Sequence, residues 1–163
     1  MLLISYRGIY DGQNLEDANT PKQITKALNN GFSCMVDVWK VSDKFYLGNE
    51  QPLTEVSANY FKGNRFWLNA RNNEMRTWLV SQPTSIYPNY FWFDTPTPPP
   101  PYVTASNGKL ITPGTEPINN NSVVFLPEIT DTGLFSTVKL RCFGICSMYL
   151  SFVRRMRNEG VFY

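Results

Sequence analysis

The sequence predicts an α/β fold in one domain covering residues 1–163. The expected form is a small or reduced (β/α) barrel of the TIM type, with several helices shortened or replaced by loops. Three observations predict it. Short apolar runs alternate with short stretches of helical periodicity, the pattern of parallel βαβ units. Those runs are nearly continuous, as in strands covered on both faces. A length of 163 residues allows one real core, yet it falls below the roughly 250 residues typical of eight complete units.

The elements follow in order along the chain. Leu2 to Tyr6 reads as a buried strand ending at Arg7-Gly8. A polar loop leads to Thr20-Pro21, an N-cap with proline at the first helical position. Ile24, Ala27 and Leu28 keep helical spacing until Asn30-Gly31 stops them. Phe32 to Val41 is a second strand, Ser42-Asp43 a turn, and Lys44 to Gly48 a returning hairpin arm. Val56 to Phe61 suggests a short helix and Arg65 to Asn69 a strand. Met75, Trp78 and Leu79 mark a helix over Asn73–Ser81, and Tyr90 to Phe93 is another strand. Thr95 to Pro101 holds five prolines and reads as a stiff extended connector. Strands follow at Lys109–Thr112, Ser122–Leu126 and Phe143–Tyr149, with a turn at Asn119–Asn121. Arg154 to Arg157 suits a solvated helix end, and Val161 to Tyr163 closes on two aromatics suited to anchoring in a neighbour's pocket.

Composition excludes several classes. Fifteen basic residues face thirteen acidic ones, too even a balance for a nucleic-acid partner. No apolar run approaches the roughly 18 residues of a membrane span, and the first residues lack the marks of a signal peptide. Cys34, Cys142 and Cys146 have no framework spacing. They read as reduced, buried thiols, in keeping with a cytoplasmic location or the inside of a particle. The chain has no histidine. That removes every Ser-His or Cys-His pair and the commonest zinc ligand and proton carrier.

Four ordered segments resemble the glycerophosphodiester phosphodiesterases, above all the small, phosphatidylinositol-phospholipase-C-like members. They are Ser5-Tyr6-Arg7-Gly8, Ala18-Asn19-Thr20-Pro21, Met35-Val36-Asp37-Val38-Trp39 and Tyr46-Leu47-Gly48-Asn49-Glu50. Trp67-Leu68-Asn69-Ala70-Arg71-Asn72, Asn89 to Phe93, Leu126-Pro127-Glu128 and Gly144 to Ser147 extend the likeness over most of the chain. The resemblance implies a parallel barrel with its site at the strand ends. It also implies a reaction run by two histidines and a carboxylate-bound divalent cation.

At the matching positions that machinery is eroded. Tyr6 and Asn49 stand where the family has its histidines, and Ala18 and Met35 where it has metal-binding carboxylates. An unperturbed phenol titrates near ~10 and an amide exchanges no proton on this scale. A thioether is the wrong ligand for a hard cation. Asp37, Glu50 and Glu128 are the residual carboxylates, and neither a metal nor another cofactor is expected. Arg7 and Arg71 remain as candidate anion donors. Arg7 has an alternative role as an ion pair with Asp37, and Arg71 one as the partner of Glu50 or Glu128.

The expectation is therefore a pseudoenzyme: a non-catalytic relative serving as a structural or interaction subunit of a larger assembly, with other protein subunits as partners. The low charge content and the many aromatics argue for this, and the resemblance adds a viral or phage particle as a setting. The alternative is a phosphoester- or anion-binding module using Arg7 and Arg71. A residual metal-dependent phosphodiesterase, working through Tyr6 with a metal on Asp37 and Glu50, is a third reading.

Overall fold

The computed structural model describes residues 1–95, 99–130 and 141–160. The middle of the proline connector (96–98) and the expected anchor at Val161–Tyr163 lie outside the described residues.

The first strand, β1 (Leu2–Tyr6), is followed by α1 (Pro21–Asn29). Thr20 caps α1, its side chain accepting from the Gln23 amide, with Pro21 in the first turn. Next come β2 (Ser33–Val41), β3 (Lys44–Leu47), β4 (Thr54–Val56), β5 (Phe66–Ala70) and α2 (Asn73–Ser81). The second half holds β6 (Tyr90–Phe91), β7 (Val103–Thr104), β8 (Leu110–Pro113), β9 (Ser122–Phe125), α3 (Pro127–Thr130), β10 (Gly144–Ser147) and α4 (Leu150–Asn158).

All ten strands join one sheet. Seven of them run parallel side by side in the order β6, β5, β2, β1, β10, β9, β8. The period-2 alternation of strand side chains sorts their apolar residues onto two faces. Ile4, Met35, Trp67, Phe91, Ile111, Val123, Phe125 and Cys146 fill the inside of the curl. Their chain neighbours turn outward. Leu3, Val124 and Ile145 pack on Leu150 and Val153 of α4, and Cys34, Val36 and Leu68 pack against Ile24 and Ala27 of α1 and Met75 and Leu79 of α2.

This architecture corrects the expected fold. The chain does not form an alternating TIM-like (β/α) barrel; it forms a curled, mixed sheet with few short helices. The hairpin arms β3 and β4 run antiparallel beside the end of β2, and β7 runs antiparallel to β8. Nine-residue helices follow only β1, β5 and β10 among the described residues. The physical reason is local. Residues 114–121, between β8 and β9, are rich in Pro, Gly and Asn, which favour turns over helix. The segment expected as a helix over Val56–Phe61 contributes the end of β4 and a 3-10 turn at Ala58–Phe61. The ends of the curl are joined beside β6, where Ser106 and Asn107 bond to Pro88, Asn89 and Tyr90. Ser106 donates its amide to the Tyr90 carbonyl (2.8 Å), and its hydroxyl accepts from the Tyr90 amide (2.8 Å).

The core is rich in aromatic side chains. Phe32, Phe61, Phe66, Trp67, Tyr87, Phe91 and Phe125 are all buried.

Candidate anion-binding site

The site lies where the parallel strands β1, β2 and β5 end. After Tyr6 the chain turns sharply: Arg7 has φ +56° and Gly8 φ +81°. A Cβ on Gly8 would stand 2.9 Å from the Ile24 amide nitrogen, so only glycine fits against α1. A left-handed arginine costs on the order of 1–3 kcal/mol, and such residues cluster at functional sites. The turn is fixed by Asn19, buried and itself left-handed. Its amide nitrogen donates to the Arg7 carbonyl (2.7 Å). Its side chain donates to the Asp37 carbonyl (2.9 Å) and accepts from the Asp37 amide (3.2 Å). One asparagine thus ties the end of β1 to β2.

Asp37 is 1% exposed and is the hub. Asn69, its register partner on β5, donates to Oδ1 at 2.8 Å. Arg7 lies 2.6 Å from Oδ2, and Arg71, just past β5, lies 3.5 Å from the same oxygen. Burial pushes the Asp37 carboxyl above its ordinary value; Arg7, then Arg71, then the Asn69 amide oppose that shift. A protonated Asp37 would leave two adjacent guanidiniums without a counter-charge, so the carboxylate is its working form.

Aromatic faces support the guanidiniums: Arg7 lies over Tyr6 (4.7 Å to the ring centre) and Arg71 over Trp39 (5.7 Å). Trp39 is held by its indole N–H donating to the Gly48 carbonyl (2.7 Å). A Cβ on Gly48 would fall 1.8 Å from the Gln51 carbonyl oxygen, so that turn also requires glycine. A third cation comes from α2. Arg76 reaches the Phe93 carbonyl (3.2 Å) and Asp94 (3.3 Å) and lies over Trp92 (5.5 Å). Together Arg7, Arg71, Arg76, Asn69, Glu50 and Phe93 line a cavity of about 380 Å³, within the range of small-molecule pockets.

The other sequence-predicted positions have different fates. Tyr6 packs edge-on against Phe125 (5.5 Å between ring centres), and burial holds its phenol far above its usual range. Met35 is buried inside the curl, its sulfur 3.6 Å from that of Cys146. Ala18 closes the 3-10 turn Leu15–Asp17 and offers no ligand atom. Asn49 is half-buried and its side-chain oxygen has no hydrogen-bond partner. Glu50 lines the cavity, whereas Glu128 does not; Glu128 accepts from the Met148 amide (2.8 Å), and burial raises its carboxyl. Arg71 is paired with Asp37, not with Glu50 or Glu128. Among the described residues no three His, Cys, Asp or Glu side chains converge as a metal site would require.

Sequence reasoning missed Arg76. Its signal was present: it sits in the first turn of a helix that starts two residues after a strand-end arginine. That placement returns its side chain to the mouth of the sheet.

No protein-family model, curated protein or solved structure matches the chain. No helix among the described residues is long and apolar enough to cross a membrane.

Proposed function

We propose that this chain is a non-catalytic anion-binding module whose ligand is a phosphoester or a similar oxyanion. One observation carries the reading. Arg7 and Arg71 share the buried carboxylate of Asp37 at the wall of an open cavity, so this pair keeps one positive charge beyond what Asp37 cancels. Pre-oriented guanidiniums on aromatic faces lose little freedom on binding. Proton transfer is poorly served: the chain has no histidine, and the phenol of Tyr6 is buried and hard to ionise.

Thermal unfolding of the intact chain with rising inorganic phosphate tests this. A ligand that binds only the folded state stabilises it by RT ln(1 + [L]/Kd). The expected result is a saturating rise in Tm that is lost in Arg71→Gln, with no turnover of glycerophosphodiesters in magnesium or calcium. An equal rise in the variant overturns the proposal, as does turnover that depends on Asp37.

A second reading, a subunit of a larger assembly, draws on the apolar side chains of Leu53, Val80 and Ile129, which face solvent. Sedimentation of the chain from its native source tests it. Recovery as a free monomer would refute it.

A further inference from the structure

We infer that the pocket is matched to a doubly charged terminal phosphate, as in a phosphomonoester, and that Arg76 is the residue that selects the second charge. This rests on the anion-binding reading above and narrows it to one ligand class.

The charges facing the cavity can be counted. Arg7, Arg71 and Arg76 supply three cations. Asp37 stands behind Arg7 and Arg71 and cancels one of them. Among the described residues the carboxylate paired with Arg76 is Asp94, whose side chain is 84% exposed; the Phe93 carbonyl is its other acceptor. An ion pair with so solvated a partner is worth about 0–1 kcal/mol, so a ligand displaces Asp94 at little cost. Glu50 is also exposed, at the rim. With Asp94 displaced, the three guanidiniums outnumber the carboxylates left at the cavity, Asp37 and Glu50, by one charge, and Arg76 supplies it.

Geometry agrees with the charge count. The three guanidiniums come from separate anchor points: the turn after β1, the end of β5, and the first turn of α2. A terminal phosphate offers three acceptor oxygens and carries close to two charges at neutral pH, its second pKa being about 6. A phosphodiester offers two free oxygens and one charge. Three guanidinium side chains on one cavity match the three oxygens of the first and exceed the two of the second.

Calorimetric titration of the intact chain with methyl phosphate and dimethyl phosphate, at pH 7.5 and pH 5.0, tests the inference. The expected result at pH 7.5 is methyl phosphate binding at least about tenfold tighter, the order of one added charge-assisted contact. At pH 5.0, where methyl phosphate is a monoanion, that preference shrinks to within about threefold. The pocket's own carboxylates cannot produce this trend. Protonating Glu50, Asp94 or Asp37 on acidification would strengthen anion binding, the opposite sign, and the arginines do not titrate. Arg76→Gln is expected to weaken methyl phosphate about tenfold and dimethyl phosphate by no more than about threefold, and the dimethyl phosphate binding that remains reports an intact fold. Equal binding of the two esters at pH 7.5 overturns the inference while leaving the anion site standing. Binding of neither ester overturns both. Selectivity that survives in Arg76→Gln removes Arg76 from the role.

Discussion

Met35 and Asp37 sit two residues apart on β2, so their side chains share a face. Their surroundings are opposite. Met35 is sealed inside the curl against Cys146, among groups that neither charge nor hydrogen-bond strongly. Asp37, one strand repeat further on, takes Arg7, Arg71 and Asn69. Within roughly 7 Å of strand the interior passes from dry packing to a buried ion cluster. The difference shows that the charged cluster begins only where the parallel strands end. The inner sheet supplies stiffness, and the turn residues Gly8, Asn19 and Gly48 bring charge to its mouth.

The contrast predicts unequal tolerance of shape-matched substitutions. Asp37→Leu leaves Arg7 and Arg71 facing each other without a counter-charge and is expected to cost about 3–5 kcal/mol. Met35→Leu conserves volume in an apolar site and is expected to cost less than about 1.5 kcal/mol. Urea unfolding measures both, and similar losses for the two would erase the distinction between the regions.

A smaller effect belongs to the thiols of buried Cys34 and half-buried Cys142 and appears at high pH. Burial raises Cys34 and Cys142 to about 11 from their ordinary value of 9. Below pH 9 both the folded and unfolded chains keep these protons, and the contribution to stability is complete. Between about pH 9 and 11 the unfolded thiols ionise first, unfolding releases protons, and stability falls by up to about 1.4 kcal/mol per pH unit for each thiol. Urea midpoints measured across that range for the native chain and for Cys34→Ala check the slope; a variant with an unchanged slope would contradict it.

Much of the site was legible because it rests on short-range pattern. The apolar run Leu2–Tyr6 and the Thr20-Pro21 cap fix where β1 ends and α1 begins, and so where Arg7 and Asn19 lie. Arg7 and Asp37 follow neighbouring apolar runs, and their ion pair is the shorter contact in the cluster. The second arginine on Asp37 was harder to read. Parallel pairing of β2 with β5 sets Asp37 opposite Asn69 and near Arg71, and strand order is a long-range property that no local run encodes. The expected barrel failed for the same reason. β4 and β7 have three and two residues, too few to show a period, yet they make the sheet mixed. Arg76 escaped notice because helical spacing draws attention to Met75, Trp78 and Leu79, the residues on the packed side.

The central claim is that Arg7 and Arg71 form a ligand-ready anion site, and side-chain NMR of the arginine Nε–H groups tests it most directly. Arg7 Nε is buried and has no hydrogen-bond partner among the described residues, so ligand binding at this guanidinium is expected to change its environment strongly. Titration with inorganic phosphate is expected to move the Arg7 and Arg71 signals along one saturating curve, while that of Arg155 on α4 stays put. Shifts that rise linearly and equally for all three arginines would show general ion screening and contradict the account.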